Sequence, residues 1–433
     1  MERYELEKSI KTSVKMIREK AGADGKVIVL VSGGVDSMVT AALLLKALPS
    51  GNVYAIHVDH GFMRKNESKL VSEMLDKFGF ENQNVIIMKA QDEYLNGRVE
   101  LNGALAPPLR EVSDPELKRE IIGTMFIEMV KKAADKFNLD YDKTFIAQGT
   151  LRPDLIESAN PDIAGSKKVK THHNDVDIVR SAREKGMIIE TNWNWYKEDV
   201  RQVARILGIG EETASRQPFP GPGLAVRIIC AGDNAHDIPQ KQSRLDEFLN
   251  TSKISGVVAE ISSVGVKDKS RSYKNLCVLY GGSDYSEIAR VASEIPDNLD
   301  FINRCVYALN KKSVDGLVRN KLEMSAGSAA LIREIDYIVT SEISKFLSVT
   351  ANSRIEQYFG VLVPVSTGGA EKYSAVIRAV LTKDYMAAHA ALPGRDIPAD
   401  VLQSISDKIL ELGGIDLVLY DMTGKPPATI EWE

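Results

Sequence analysis

The chain has 433 residues, which exceeds the size at which one hydrophobic core usually stops growing, so we expect two or three domains. Hydrophobic residues make up 44% of the sequence and charged residues 27%, as in ordinary soluble globular proteins. The formal net charge of -5 argues against a broad nucleic-acid-binding surface, which would need a basic domain. An anionic ligand would therefore be bound by a few placed cations.

Targeting segments and cysteines narrow the class further. The apolar runs are too short to cross a bilayer, and the first residues, MERYELEKSI, carry charges where a signal peptide needs an apolar core. We therefore expect a cytoplasmic protein without a membrane span. Cys230, Cys277 and Cys305 form no CxxC pair, which predicts buried hydrophobic side chains rather than disulfides or a zinc site.

The first part of the chain predicts a parallel α/β sheet. Apolar residues recur at helical spacing over residues 4–20, and the strand KVIVLV (26–31) is followed by the helix former DSMVTAALLLKAL and a second strand, VYAIHV. Further strands are expected at NVIIMK (84–89), TFIAQG (144–149) and MIIET (187–191). This βαβ order predicts a parallel sheet covered by helices, in a domain spanning residues 1–228.

The second part predicts an α+β domain built from two repeated units, 254–355 and 356–433. Before it, the polar segment 229–253 contains Gly and Pro, which predicts a linker or a peripheral excursion. Tyr273 and the strand NLCVLY recur one hundred residues later as Tyr373 and the strand AVIRAVL. After a helical stretch, each copy ends in another apolar strand, so the repeat would be strand-strand-helix-strand. Chance similarity between two α/β segments is the alternative interpretation.

A glycine loop connects the strand at 26–31 to the helix that follows it, with the sequence Ser32-Gly33-Gly34-Val35-Asp36-Ser37. Glycines let the backbone approach an anion closely, and the helix N-terminus adds partial positive charge, so the loop predicts a phosphate site. The sequence matches neither GxxxxGK[ST] nor GxGxxG. Asp36 is placed to hold Mg²⁺ beside the phosphates, although a turn with Asp36 as a helix cap is the alternative.

The loop SGGVDS, at this place in a βαβ unit, resembles the signature loop of the ATP pyrophosphatases, which cleave ATP between the α and β phosphates. Other segments resemble the GMP synthetase family, in order and over nearly the whole chain: VDHGFMRKNES, DPELKREIIG, GTLRPDLIES, KTHHN, RQPFPGPGLAVR and KPPATIEWE. The resemblance implies a ligase that uses magnesium-ATP to adenylate xanthosine monophosphate (XMP), with release of pyrophosphate. Ammonia then displaces AMP to form GMP.

The resemblance also implies site residues. The residues expected to bind ATP are Ser32, Gly33, Gly34, Val35, Asp36, Ser37, Met38 and Val58, with Asp36 also the magnesium ligand. The expected catalytic residues are Asp36, Asp154, Glu157, Lys170, His172 and His173. The residues expected to bind XMP are Arg119, Asp268, Arg271, Gln357, Lys425, Ile430 and Glu431. Cationic side chains suit its phosphate, and groups at the C-terminus suit its purine edge.

Three of these motifs also have plainer interpretations. The cluster around Lys170 could neutralise charge developing on a phosphoryl group, but a solvated surface loop is the alternative. The PFPGPG turn could wrap a flat base or join two domains. Asp154 and Glu157, three residues apart, could act together on magnesium or a proton, or could form a helix-start capping pattern.

Two segments depart from the family pattern. VGVKDKSRSY places Asp268 one position earlier than usual and puts Lys269 in its place, so the contact of Asp268 with XMP is in doubt. ETNWNWYKEDVR carries Trp193 and Trp195 in place of the usual residues, and we expect both to pack in the interior.

The position of the loop, at residue 32, leaves no room before it for the glutamine amidotransferase domain that many family members carry. We therefore expect ammonia from solution or from a separate glutaminase subunit. Two C-terminal units in one chain predict a monomer with an internal pseudo-dimer.

Two other functions remain as alternatives. A tRNA-modifying ATP pyrophosphatase should show a basic RNA-binding domain or a cysteine pair. A non-catalytic nucleotide-sensing module should have lost residues such as Ser32, Asp36, Lys170 and Lys425, and all four are present.

Overall fold

The structure, a computed structural model, describes residues 1–140, 143–149, 185–230, 237–267, 270–350, 353–382 and 386–433. These residues form two compact units. Unit 1 contains Met1–Ala106 and Glu120–Gly221, and unit 2 contains Pro107–Arg119 and Pro222–Glu433. The division differs from the predicted first domain, 1–228, because the segment Pro107–Arg119 belongs to unit 2 and unit 1 ends at Gly221.

Unit 1 is an α/β unit whose elements alternate along the chain. Its strands are β1 (Lys26–Leu30), β2 (Val53–Asp59), β3 (Val85–Lys89), the short pair β4 (Glu100–Leu101) and β5 (Ala104–Leu105), β6 (Thr144–Gln148) and β7 (Ile188–Glu190). Its helices are α1 (Arg3–Ala21), α2 (Val35–Ala47), α3 (Glu67–Phe78), α4 (Gln91–Asn96), α5 (Pro115–Asp135, whose first turns lie in unit 2), α6 (Lys197–Ile206) and α7 (Glu211–Ala214).

The sheet of unit 1 is five-stranded and parallel, in the order β3-β2-β1-β6-β7. Its central strand β1 is buried at Val27, Ile28 and Val29, as expected for a parallel strand covered on both faces. The apolar positions of α1, among them Leu6 and Ile17, recur at helical spacing and are buried. The prediction of a parallel sheet covered by helices is confirmed.

Unit 2 contains a mixed sheet with helices. Its strands are β8 (Ser255–Lys267), β9 (Ser270–Tyr280), β10 (Ile302–Ala308), β11 (Val318–Arg319), β12 (Ile355–Val363), β13 (Val365–Ser366), β14 (Tyr373–Thr382), β15 (Ala388–Ala390) and β16 (Ile415–Asp421). Its helices are α8 (Ile238–Leu249), α9 (Tyr285–Asn298), α10 (Ala326–Ser348) and α11 (Ala399–Leu410).

The main sheet of unit 2 runs in the order β12-β14-β16-β10-β9-β8, with β15 paired to β14. The order helix, strand, strand, helix, strand occurs as α8-β8-β9-α9-β10 and again, apart from short strands, as α10-β12-β14-α11-β16. The two halves meet at the antiparallel pair β10–β16. Val278, Val361 and Leu417 belong to the apolar core of this unit. That the halves are copies of one repeated unit stays a prediction.

Helix α8 lies within residues 229–253, where the sequence predicts a linker. Its Leu245 and Leu249 are buried, so this helix is part of unit 2. The polar residues that indicate a linker, such as Arg244 and Glu247, lie on its exposed face. The prediction of a linker over this helix is therefore wrong, because a short amphipathic helix with two buried leucines is mostly polar in composition.

Two further expectations concern buried thiols and membrane spans. Cys230, Cys277 and Cys305 are free and buried, like small hydrophobic side chains. Within the described part of the chain, no helix combines the length and the hydropathy that crossing a bilayer requires.

Candidate active site

The glycine loop of unit 1 lies between the end of β1 and the start of α2. Gly33 has φ +87°, and a Cβ atom there would lie 2.4 Å from Oε1 of Glu67, so only glycine fits. The Ser32 amide donates to Oγ of Ser37 at 3.2 Å, and the Ser37 hydroxyl donates to the Gly34 carbonyl at 2.9 Å. The loop is thus held in the form that presents a helix N-terminus to an anion.

Asp36 lies in the first turn of α2, and its two carboxylate oxygens have different surroundings. Oδ2 accepts a hydrogen bond from Nζ of Lys197 at 2.5 Å. Oδ1 is buried and has no hydrogen-bond partner among the described residues. A buried carboxylate oxygen without a partner is costly unless a ligand completes it, and a hard cation is the ligand that carboxylates suit best.

The donor set near Asp36 fits magnesium. Among the residues that the structure describes, no group of three or more His, Cys, Asp and Glu side chains is placed to hold a metal ion. Mg²⁺, however, is usually held by one or two carboxylates together with substrate phosphates and water. One carboxylate beside a phosphate-binding loop therefore suffices.

Lys197 is a candidate functional residue that the sequence analysis missed. It is the first residue of α6, where the helix dipole does not favour a cation, and the rest of that turn, Glu198 and Asp199, is acidic. A lysine at this unfavourable end of a helix was the signal in the sequence that could have identified a functional residue. Asp36 lies 161 positions away along the chain, so no local pattern connects the two residues.

The site lies at the carboxyl ends of β1, β6 and β7. The Thr40 hydroxyl donates to the Asp36 carbonyl at 2.9 Å, and Nδ2 of Asn192 donates to the same oxygen at 3.2 Å. A Cβ atom at Gly149, which follows β6, would lie 2.9 Å from this carbonyl. Strand order reverses between β1 and β6, and ligands of open α/β sheets bind at such a point.

A largely buried ion pair contacts the glycine loop. Nη1 of Arg216 donates to Oε1 of Glu67 at 2.5 Å and to the Gly33 carbonyl at 3.3 Å. Arg216 opens the segment RQPFPG, and Nη2 of Arg64 donates to the Gln217 and Pro218 carbonyls, each at 3.3 Å. Within unit 1, the start of the proline-rich turn is therefore fixed against the segment that leads into α3.

Of the other residues expected at the active site, some are buried and some lie outside the described residues. The side chains of Met38 and Val58 are buried, and Met38 belongs to the apolar core of unit 1, so neither is part of the open loop surface. Their contact with ATP stays a prediction. The residues Asp154, Glu157, Lys170, His172 and His173 lie outside the described residues, as do Asp268 and Lys269.

The two tryptophans differ from each other. Trp195 is buried and its Nε1 donates to Oγ of Ser9 at 3.0 Å, as expected for a packing residue. Trp193 is 45% exposed, so the expectation that it packs in the interior is wrong. Trp193 lies in the turn before α6, and of the two tryptophan rings there only that of Trp195 reaches the core.

In unit 2, Arg119 and Arg271 lie around one carboxylate, Glu116. Oε1 of Glu116 accepts hydrogen bonds from Nη1 of Arg271 at 2.6 Å and from the Tyr273 hydroxyl at 2.9 Å. Burial would raise the pKa of Glu116, but these two hydrogen bonds and the charges of Arg271 and Arg119 hold that pKa below its ordinary value. Oε2 of Glu116 and Nε of Arg119 are buried without hydrogen-bond partners among the described residues.

Glu431 belongs to a second charged group in unit 2, centred on Arg227. The Arg227 guanidinium donates to both carboxylate oxygens of Glu431, at 2.9 and 3.1 Å, and to Oδ1 of Asp336 at 3.0 Å. It also lies 3.9 Å from the ring centroid of Phe359. Gln357, two residues earlier on β12, is buried.

The remaining residues expected to bind XMP belong to the C-terminal segment. Ile430 is buried in the core of unit 2. Lys425 pairs with Ala388 through main-chain hydrogen bonds of 2.7 and 3.1 Å, which connect the segment to β15. The last residue, Glu433, forms a buried ion pair with Lys118 of α5. The described candidates Arg119, Arg271, Gln357, Lys425, Ile430 and Glu431 thus all lie in unit 2.

Each unit contains a segment that matches a known family. Residues 5–106 match the family described as NAD synthase, and residues 344–432 match the family described as GMP synthase C terminal domain. Among solved structures, the NH3-dependent NAD synthetase from Campylobacter jejuni aligns with 57% of this chain and 85% of that chain, at 12% sequence identity and a TM-score of 0.35.

Curated relatives match almost the entire chain. "GMP synthase (glutamine-hydrolyzing)" of Dictyostelium discoideum is 34% identical, over 94% of this chain and 62% of the relative. "Probable GMP synthase (glutamine-hydrolyzing)" of Leptospira interrogans is 35% identical, over 99% of this chain and 67% of the relative. "Probable GMP synthase (glutamine-hydrolyzing)" of Caenorhabditis elegans is 34% identical, over 95% of this chain and 64% of the relative. The chain thus spans 62 to 67% of the length of these three relatives.

The parallel sheet of unit 1, its glycine loop and the match to the NAD synthase family define an ATP pyrophosphatase unit, followed by a mixed-sheet unit. The second unit carries the GMP synthase C-terminal domain. The chain belongs to the GMP synthase family.

Proposed function

We propose that this chain catalyses the synthetase reaction of GMP formation, as a ligase. ATP adenylates XMP with release of pyrophosphate, and ammonia then replaces the adenylyl group to give GMP and AMP. The observation that carries the proposal is the Asp36 carboxylate at the glycine loop, with one oxygen bound to Lys197 and the other unpartnered. Membership of the GMP synthase family supports XMP as the acceptor.

In the first step, the 2-oxygen of XMP attacks the α phosphorus of ATP, and the bond between this phosphorus and the bridging oxygen to the β phosphorus breaks. The amides at the start of α2 would bind the phosphate oxygens, and Asp36 would hold Mg²⁺ beside them. The metal, when bound, neutralises charge on the leaving pyrophosphate. Lys197 would orient Asp36 and add a second positive charge at the same place.

In the second step, ammonia attacks the activated C2 atom of the purine, and AMP leaves with the former 2-oxygen of XMP. In unit 2, Arg119 and Arg271 would bind the phosphate of XMP, because arginine forms paired hydrogen bonds with phosphate oxygens. The groups at Ile430 and Glu431 would contact the purine edge, with Gln357 and Lys425 completing the nucleotide site. Positioning and charge neutralisation are then the main contributions of the protein.

The proposal also includes the source of ammonia, the oligomeric state of the protein and its location. Ammonia would come from solution or from a separate glutamine amidotransferase subunit. The chain would act as a cytoplasmic monomer, with the two halves of unit 2 as an internal pseudo-dimer.

The test combines the purified chain with ATP, Mg²⁺, XMP and an ammonium salt, and follows pyrophosphate and GMP. We expect both products in equal amounts, and no pyrophosphate above background when XMP is omitted. Asp36→Ala should abolish adenylation while its circular dichroism stays that of the unchanged protein. Turnover with another carbonyl acceptor, but none with XMP, would overturn the assignment.

A second arm of this assay replaces the ammonium salt with glutamine. The chain alone is expected to form no GMP, because glutamine hydrolysis would be the task of the separate subunit. GMP formation from glutamine by the pure chain would contradict that part of the proposal.

A further inference from the structure

The C-terminal segment, defined here as residues 422–433, is held by two arginines that lie entirely inside unit 2. Arg304 of β10 and Arg378 of β14 are both 0% exposed. Nη1 of Arg378 donates to the Thr423 carbonyl, and its Nη2 donates to the Thr429 carbonyl at 3.2 Å. Nη2 of Arg304 donates to the carbonyls of Thr429 at 3.0 Å and Glu431 at 3.2 Å. Both arginines therefore bind main-chain atoms of this segment.

One buried carboxylate, Asp421 at the end of β16, lies between the two arginines. Its Oδ2 accepts from Nη1 of Arg304 at 2.5 Å and from Nε1 of Trp432 at 3.1 Å, while its Oδ1 is 3.2 Å from Nη1 of Arg378. The Thr423 amide also donates to Oδ1, at 3.0 Å. The carboxylate thus binds both arginines and both ends of the segment.

Arg304 keeps its charge at neutral pH. Burial lowers the pKa of Arg304 to about 10, with Asp421 opposing the shift. Two cations and one anion in the interior are expensive unless further hydrogen bonds satisfy them. Here the carbonyls of the C-terminal segment accept from the terminal nitrogens of both arginines, while Nε of Arg378 has no partner among the described residues. The position of the segment's main chain and the stability of the buried charges therefore depend on each other.

The bound carbonyls lie directly beside the residues expected to contact XMP. Arg378 binds the main chain on both sides of the turn that carries Lys425, at Thr423 and at Thr429. Arg304 binds the main chain of Glu431 itself and of Thr429, which precedes Ile430. Because both arginines are fully buried, they act on a ligand only through this segment.

We propose that Arg304, Arg378 and Asp421 are positioning residues, which fix the main chain of the C-terminal segment so that Lys425, Ile430 and Glu431 meet the nucleotide substrate in one geometry. This inference rests on the proposed function. A group with a purely stabilising role would change the amount of folded protein and leave the substrate dependence of the folded fraction unchanged. A positioning group changes the KM for XMP and leaves the KM for ATP, whose expected residues lie in unit 1, unchanged.

The test is Arg378→Lys, assayed with an ammonium salt. Lysine keeps the charge but presents a single ammonium group, which cannot hold the Thr423 and Thr429 carbonyls in the geometry of a guanidinium. We expect the KM for XMP to rise about tenfold, since small misplacement of binding groups is costly, with the KM for ATP unchanged. Trp432→Phe removes the indole hydrogen bond to Asp421 and shrinks the buried ring that lies 4.5 Å from the Arg304 guanidinium. We expect it to raise the KM for XMP about threefold, and it is the second test if Arg378→Lys does not fold.

The matched control is Lys311→Met. It breaks another ion pair to β16 in unit 2, the 2.6 Å pair of Lys311 with Asp416. Among the described residues, the hydrogen bonds of these two side chains go to each other and to Thr367, outside the C-terminal segment. Its KM for XMP should stay within about twofold of the unchanged protein. An unchanged KM for XMP in both Arg378→Lys and Trp432→Phe, or an equal rise for XMP and ATP, would overturn the inference.

A readout that needs no substrate separates this inference from the proposed function. Amide hydrogen exchange of peptides covering 422–433 should be faster in Arg378→Lys than in Lys311→Met, with exchange of the glycine loop equal in the two variants. If the unchanged protein turned over no XMP, the proposed function would fall, and equal exchange of 422–433 in both variants would then refute the positioning role.

Discussion

Asp36 and Lys197 form the residue-scale feature on which ATP chemistry would depend. Lys197→Met is expected to lower kcat/KM for ATP about 100-fold, because it removes the cation that orients the Asp36 carboxylate and faces the phosphates. Steady-state kinetics with saturating XMP measures this, and Lys197→Arg should recover part of the loss. Lys46→Met, an exposed lysine near the other end of α2, is the control and should stay within about twofold.

Gly33 and Gly34 give a matched pair of substitutions in the same loop. Gly33→Ala should destabilise the protein by about 1–2 kcal/mol from its left-handed backbone alone, and more from the contact of the new Cβ with Glu67. Gly34 has φ -70° and a Cβ there would come no closer than 3.4 Å to Ser32, so Gly34→Ala should cost less than about 0.5 kcal/mol. Urea unfolding compares the two, and equal free energies of unfolding would contradict this account of the loop.

At the scale of elements, Glu342 connects two helices of unit 2. Its carboxylate accepts from Lys345 on the same helix, α10, and from Lys408 on α11, at 2.7 and 2.8 Å. The hydrogen bonds of Lys345 and then Lys408 lower the pKa of Glu342 to about 2. The ionised form is favoured by folding, so its contribution is complete above the ordinary pKa of 4.5 and is lost as the pH falls towards 2.

Glu342→Gln should therefore reduce the free energy of unfolding that the protein loses as the pH falls. Between pH 4.5 and pH 2 the unchanged protein is expected to lose more free energy of unfolding than the variant, since only the unchanged protein has this carboxylate to protonate. The effect should be small because both lysines are exposed to solvent. Glu356→Gln, the same substitution at an exposed position, is the control. Parallel acid profiles for the unchanged protein and Glu342→Gln would refute the assignment.

Elements with strong periodicity were predictable from the sequence, and elements of mixed composition were not. The strand at 26–31 and the helix after it are confirmed because apolar residues are continuous in a buried parallel strand. Helix α8 was missed because only two of its side chains are buried, which leaves too little apolar pattern to distinguish it from a polar linker. Similarly, nothing in the composition of Pro107–Arg119 indicates that it packs with unit 2.

At the scale of the whole molecule, the two halves of unit 2 predict a monomer. The antiparallel pair β10–β16 joins the halves inside one chain, so the continuous sheet needs no strand from a second copy. Light scattering should give the mass of a single chain at low micromolar concentration, with or without XMP. A stable dimer under these conditions would refute the prediction.

The sequence by itself determined the family, the glycine loop and the five strands of the parallel sheet, because these depend on short local patterns and on the order of motifs along the chain. The tertiary structure decided which charges work together: Asp36 with Lys197, Glu67 with Arg216, and Asp421 with Arg304, at separations of 161, 149 and 117 positions. Local propensity carries no information about such distant partners. Their pairing follows from sheet order and helix packing. Burial then makes the pairings of Glu67 and Asp421 obligatory because an unpaired buried charge is too costly, whereas Asp36 and Lys197 stay partly exposed.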